Sequence, residues 1–206
     1  MTEGAGGGTI VTTAIYHEQP EIALETLNIK FIKACLALIE IPQLSTQIHA
    51  MVDVTNGGLR GDLYESTKEA RVGVKVYPDR VRSLVNAKVL QMLDSLKIDY
   101  LGVSLDALLI YCTPEAVDAI QDALMQQNVK VEQIGYVVPE PGVIFINSKG
   151  EESVVPRFRE SAYTKIKEVV DESCASPKET EPKIQAAFRA AEEKKKNILD
   201  FIKSHR

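Results

Sequence analysis

The chain has 206 residues, 45% of them hydrophobic and 26% charged, with 12 Gly, 9 Pro and a formal net charge of −5. That composition supports a sizeable buried core and excludes disordered, collagen-like and disulfide-scaffold classes. A weakly acidic chain has no overall attraction for nucleic acid or an anionic membrane, and no run approaches the roughly 20 apolar residues of a membrane span.

Met1–Gly8 is acidic and glycine-rich, without the basic and apolar regions of a signal peptide, so a cytoplasmic protein is expected. Within it, Gly4 to Thr9 reads as a flexible start or part of an interdomain linker, with a phosphate-facing loop as the alternative. Thr9–Tyr16, rich in β-branched residues, is expected to be the first strand. Pro20–Glu40 sets Ile22, Leu27, Ile29, Ile32, Leu36 and Ile39 on one side of a helix. Then come a strand at Ile48–Val54, a helix at Leu59–Ala70, a strand at Val72–Tyr77 and a helix at Val81–Leu96. Ala107–Cys112 reads as a strand, and Pro114–Gln127 as a helix opened by a Thr113 cap and Pro114 at its first position. Val129–Val138 and Val143–Asn147 are strands divided by Pro139-Glu140-Pro141-Gly142, which predicts a hairpin at a sheet edge. Strands separated by helices give an α+β fold of the α/β-sandwich kind: a mixed sheet, partly parallel, flanked by helices.

Composition shifts near Glu151, which divides the chain into a domain over residues 1–150 and a charged helical extension over 151–206. The extension is expected to form helices at Ser161–Glu172 and Pro182–Ser204. In the second, Ile184, Ala187, Phe188, Ala191, Ile198, Leu199 and Ile202 form an apolar stripe that packs on the body or on a second copy. Cys35, Cys112 and Cys174 form no CxxC pair and read as packing residues with reduced thiols. His17 and His49 stand alone, and no metal-ligand spacing appears.

The stretch that carries chemistry runs from His49 to Tyr64: a strand, a tight glycine turn and a helix. That order aims backbone N–H groups and the positive end of a helix dipole at whatever sits on the turn. Gly57 and Gly58 permit a positive φ and a close approach. Asp53 and Thr55 end the strand, and Arg60 adds a forked cation suited to phosphate. The equally open reading is that Gly57-Gly58 only turns the chain, with Thr55 or Asn56 as cap. Asp106, just before Leu108-Leu109-Ile110, is either a site carboxylate or a turn residue.

The run Met51-Val-Asp-Val-Thr-Asn-Gly-Gly-Leu-Arg-Gly-Asp-Leu63 resembles the aspartate–threonine–glycine motif in the C-terminal domain of the aminoimidazole ribonucleotide (AIR) synthetase superfamily. Leu101 to Glu115, followed by Val131 to Val137 with its Ile134-Gly135 pair, resembles that family's later strand–helix–strand unit. The nearest likeness is to uncharacterised archaeal members. The resemblance implies a mixed sheet with helices and ATP-dependent phosphoryl transfer, with ATP and Mg²⁺ held mainly by an N-terminal domain. The sequence is expected to hold the C-terminal half alone, with the ATP-binding domain separate or missing and the isolated chain inactive. Carried over by position, Asp53, Thr55, Asn56, Gly57 and Gly58 face the cleft, joined by Arg60, Asp62 and Asp106 as a site for a phosphorylated small molecule or nucleotide. The family's glycine pair before the later strand is replaced here by Asp106-Ala107. The alternative is a non-catalytic assembly subunit, a homodimer joined through a sheet edge or the tail helix.

Overall fold

The computed structural model describes residues 1–55, 57–155 and 177–204, with only the backbone course for 177–180. Asn56, Cys174 and the helix expected at Ser161–Glu172 lie outside the described residues.

The first element corrects the reading of Thr9–Tyr16 as a strand. Gly8–Tyr16 is helix α1, and it buries Ile10, Thr13 and Ala14 at helical spacing. Its β-branched threonines are accommodated because Thr12 and Thr13 donate their hydroxyls to the Gly8 and Thr9 carbonyls, each at 2.8 Å. The glycines before it are not a loose lead-in. Gly4 N–H donates to the Leu84 carbonyl at 3.0 Å, and Gly6 N–H to that of Leu105 at 2.7 Å. A Cβ at Gly4 would lie 2.2 Å from the Leu105 carbonyl oxygen, so only glycine fits there.

Pro20–Glu40 is broken into a 3₁₀ turn at Pro20–Ile22, helix α2 at Ala23–Thr26 and helix α3 at Lys30–Ile39. Asn28 makes the break. Its side-chain amide donates to the Glu25 carbonyl, and its side-chain oxygen accepts from Lys30 N–H, both at 3.0 Å. Likewise Val81–Leu96 is two helices, α5 (Pro78–Leu84) and α6 (Ala87–Ser95). Asn86 caps the second by accepting from Lys88 and Val89 N–H.

Strand β1 (Ile48–Val54) pairs antiparallel with β3 (Ala107–Cys112), Val54 opposite Ala107 and Asp53 opposite Leu108. Helix α4 (Gly58–Ala70) follows β1, and α7 (Val117–Gln126) follows β3. The second sheet has the order β4 (Gly135–Val138), β2 (Gly73–Val76), β5 (Gly142–Ile146), β6 (Glu152–Val154). β2 is antiparallel to β4 and parallel to β5. The expected hairpin of the last two strands therefore does not form, because β2 lies between them. The 139–141 turn passes over the start of β2, where a Cβ on Gly73 would meet the Glu140 carbonyl oxygen at 2.0 Å. Of the expected strand Val129–Val138, only the last four residues are strand.

Two apolar cores result. One joins Val54, Leu59, Leu63, Val74, Val76, Leu105 and Val143, so that α4 covers one face of the strands. The other joins Ala34, Leu38, Leu108, Ile120 and Leu124, where α3 and α7 cover the opposite face. This is the mixed α+β architecture that the alternating pattern predicts. The tail helix α8 (Pro177–Ser204) lies against α2, with the Lys194 ammonium donating to the Leu24 carbonyl and Lys33 5.3 Å from the centre of the Phe201 ring. No helix among the described residues is long and apolar enough to cross a membrane.

Candidate functional site

The end of β1 and the start of β3 are tied at one atom. The Val54 carbonyl accepts both Leu105 N–H (3.1 Å) and Asp106 N–H (3.0 Å). That pinch leaves Asp106 with φ +52°, the left-handed region that aspartate tolerates better than most residues. Its carboxyl is half-buried and lies within reach of the Asp53 charge. Burial first, and the Asp53 charge second, push the Asp106 carboxyl above the usual carboxylate range. Cys35, reaching in from α3, is pushed up in the same way by burial and then by Asp53. Asp53, Asp106 and Cys35 thus share the side of the β1–β3 pair that faces α3.

The turn itself is built around backbone contacts. Gly57, at φ +123°, caps α4, and Gly58, at φ +63°, sends its N–H to the Thr55 carbonyl at 3.0 Å. Both are buried. A Cβ at Gly58 would meet the backbone of Leu101, Gly102 and Val103 at 2.5–2.6 Å. The close approach that this glycine permits is therefore made by the chain's own Tyr100–Gly102 turn. Asp62, in the first turns of α4, accepts from Thr55 N–H at 3.2 Å. Ser66 donates to the Asp62 carbonyl at 2.6 Å and lies 2.7 Å from the Tyr111 hydroxyl.

Arg60 has a partner that sequence reasoning missed. Its guanidinium lies 2.6 Å from the Asp99 carboxylate, a close charge contact whose angles are not those of a hydrogen bond. Asp99 also accepts from Leu101 N–H at 3.1 Å, which fixes the turn that Gly58 packs against. Nothing in the spacing of the sequence links Asp99 to Arg60. Their meeting depends on the α5–α6 excursion between them.

The structure sets Thr55, Gly57, Gly58, Arg60 and Asp62 at the turn into α4, and Asp53 and Asp106 beside it on the α3 side of the β1–β3 pair. Tested against ATP and Mg²⁺, these residues do not make a complete site. The arginine is paired, the Thr55 amide is taken by Asp62, and the remaining groups are carboxylates. Among the described residues no cluster of three or more His, Cys, Asp or Glu is placed to hold a metal ion.

The family described as AIR synthase related protein, C-terminal domain, matches residues 3–147. The chain belongs to this family. An uncharacterised protein of Methanocaldococcus jannaschii is 42% identical to it over 207 aligned residues, all of this chain and 44% of that protein. The chain thus spans less than half of that relative's length. Among solved structures, two of Escherichia coli HypE, a hydrogenase maturation protein, are 20% identical and align with TM-scores of 0.54 over 65% of this chain and 40–41% of theirs. A HypE–HypF complex aligns with a TM-score of 0.53 at 21% identity, over 61% of this chain and 40% of that one. These likenesses establish the fold. The family match covers β1, the glycine turn, β3 and both strands that flank β2.

Proposed function

We propose that this AIR synthase related domain forms one wall of the nucleotide site of a cytoplasmic ATP-dependent enzyme. The turn after β1 faces the cleft, and a companion ATP-binding domain supplies the cations and most of the ligands for Mg²⁺. Asp53, Thr55, Asn56, Gly57, Gly58, Arg60, Asp62 and Asp106 make up this wall, which faces a phosphorylated small molecule or nucleotide.

One observation carries the reading. Asp106 is held at positive φ, half-buried and within reach of the Asp53 charge, an arrangement that disfavours its ionised form. Strain and like-charge pairs of this kind collect at functional sites. Two neighbouring carboxylates suit ligand hydroxyls or a nucleotide-borne Mg²⁺ better than bare phosphate. Because the wall lacks a free cation, the isolated chain is expected to bind weakly and turn over no ATP.

The test is a thermal-shift titration of the chain with Mg-ATP, ATP and phosphate, repeated on Asp53→Asn and Asp106→Asn. A midpoint that rises with Mg-ATP and responds less in both variants supports the reading. No shift with any of the three, or ATP turnover by the pure chain, overturns it.

A second reading, self-association into a homodimer, is favoured by the exposed Ile184, Phe188 and Leu199 on α8. Light scattering that gives a monomer mass at high concentration removes it.

A further inference from the structure

Among the described residues β3 is paired only with β1, and β4 only with β2. Their unpaired edges border an open slot of about 280 Å³, away from the glycine turn. The chain's own residues 1–3 close one end of it. Thr2 N–H donates to the Leu108 carbonyl at 2.9 Å, and the Met1 ammonium donates to the Glu132 carbonyl at 2.9 Å. The open part lies beyond Met1, which lines it.

The rim of that open part is main chain. Leu108 stands opposite Asp53 and turns its N–H away from β1, to the Thr2 hydroxyl at 2.8 Å. Strand alternation turns the N–H and C=O of Ile110 and Cys112 the same way, into the slot. On the other side, Tyr77 N–H donates to the Ile134 carbonyl at 2.8 Å, so the next pair, Val76 and Gly135, exchanges no bonds. Gly135 and Val137 therefore turn their N–H and C=O away from β2, and both line the slot. The two faces are apolar. Leu63 of α4 covers one, and Val117 and Ile120 of α7 cover the other. Among the described residues no lysine, arginine or histidine lines it.

A polar rim between two apolar faces selects a ligand by shape and charge. A hydrocarbon satisfies the faces and leaves the rim unpaired. An anion finds no cation there. A flat ring system with donors and acceptors at its edge satisfies rim and faces together. The volume lies just under the roughly 300–1,000 Å³ of drug-sized sites, which is room for one or two fused rings. We propose that the slot binds a neutral, planar heterocycle of the nucleobase kind, its edge on β3 and β4 and its faces between α4 and α7. The main chain of Ile110 and Cys112 pairs with the ring edge, while Leu63, Val117 and Ile120 hold the ring faces. This site is separate from the turn after β1 and does not depend on what that turn faces.

The probes are adenine and hypoxanthine, titrated into the full chain. Amide NMR shifts and hydrogen exchange at Ile110 and Cys112, with the thermal midpoint, are the readouts. Either base shifts both amides saturably, slows their exchange by roughly tenfold or more, and raises the midpoint. Caffeine, a purine with no N–H left at its edge, binds at least tenfold more weakly, and so does toluene, which has apolar faces alone. Val117→Trp, at a half-buried position on the slot wall, fills the space, keeps its far-UV spectrum and binds neither base. The caffeine and toluene arms use the unaltered chain, so they decide the point even where that variant does not fold. Adenosine separates the sources: binding as tight as adenine assigns the slot to nucleosides, and weaker binding assigns it to free bases. Unshifted amides at millimolar base, shifts confined to Gly57 and Gly58, equal binding of caffeine or toluene, or binding retained in folded Val117→Trp overturns the proposal.

Discussion

Arg60 holds Asp99, and through Asp99 it holds the turn against which Gly58 packs. The cation nearest the glycine turn is therefore part of the frame that shapes the turn. Both side chains are about three-quarters or more buried. Arg60→Ala is expected to lower stability by about 1–2 kcal/mol, between the values for exposed and fully buried pairs. A double-mutant cycle with Asp99→Ala, read by denaturant unfolding, measures the coupling. Additive losses would show that the contact contributes nothing.

Two glycines of the same helix respond in opposite directions to alanine. At Gly58 the positive φ and three backbone atoms within 2.6 Å oppose a Cβ. Gly58→Ala is expected to cost about 3 kcal/mol or more. Gly61 lies inside α4 with nothing within 4 Å of an added Cβ. Gly61→Ala is expected to stabilise the protein by about 0.5–1 kcal/mol. Thermal melts of the two variants side by side decide the point.

The Asp106 carboxyl titrates above the usual range, chiefly through burial. A raised carboxyl pKa means that the folded state holds its proton more tightly than the unfolded chain does. The ionised form therefore costs stability, and the cost grows as pH rises through the folded value. Asp106→Asn is expected to stabilise at neutral pH, with the gain fading as pH falls through the raised folded value and gone below about 4, the ordinary aspartate value. Stability against pH for both proteins checks this. A gain that persists undiminished in acid would contradict it.

Asn86 caps α6 through its side-chain oxygen while its amide donates to Glu25 at 3.0 Å. Asn86→Ala removes both and is expected to cost about 1–2 kcal/mol. Asn86→Asp keeps the cap but sets a negative charge against Glu25. It should recover only part of the loss in chemical unfolding.

How much of this was legible beforehand depended on the range of the interactions involved. β1, α4, β3 and α7 were readable because their apolar periods are local; of the start signal read before α7, Pro114 holds, but the Thr113 side chain makes no capping hydrogen bond. α1 was not, since Ile10, Val11 and the threonines at 9, 12 and 13 carry strand propensity. Burial of Ile10, Thr13 and Ala14, together with the hydroxyl bonds to the preceding turn, overrode it. The breaks at Asn28 and Asn86 each come from the side-chain hydrogen bonds of a single residue, too local to disturb a periodicity count. At the site, the residues of the turn were identifiable as a group. The pairing of Arg60 with Asp99 and of Thr55 with Asp62 was not, because both depend on how distant or turned segments are brought together. The hairpin was misread because a short proline–glycine turn between two apolar runs gives the same pattern whether the runs pair or straddle a third strand.

That straddling sets an order of assembly. β2 leaves the ribosome well before either of its neighbours, since β4 begins at Gly135 and β5 at Gly142. Until then its apolar residues have no strand to pair with, and the 139–141 turn must close over an end already in place. Such distant pairing is slow, because the loop must close before any contact rewards it. The second sheet is therefore a late step of folding, and the interval before it forms is when this chain is most open to chaperones and to wrong edge pairing.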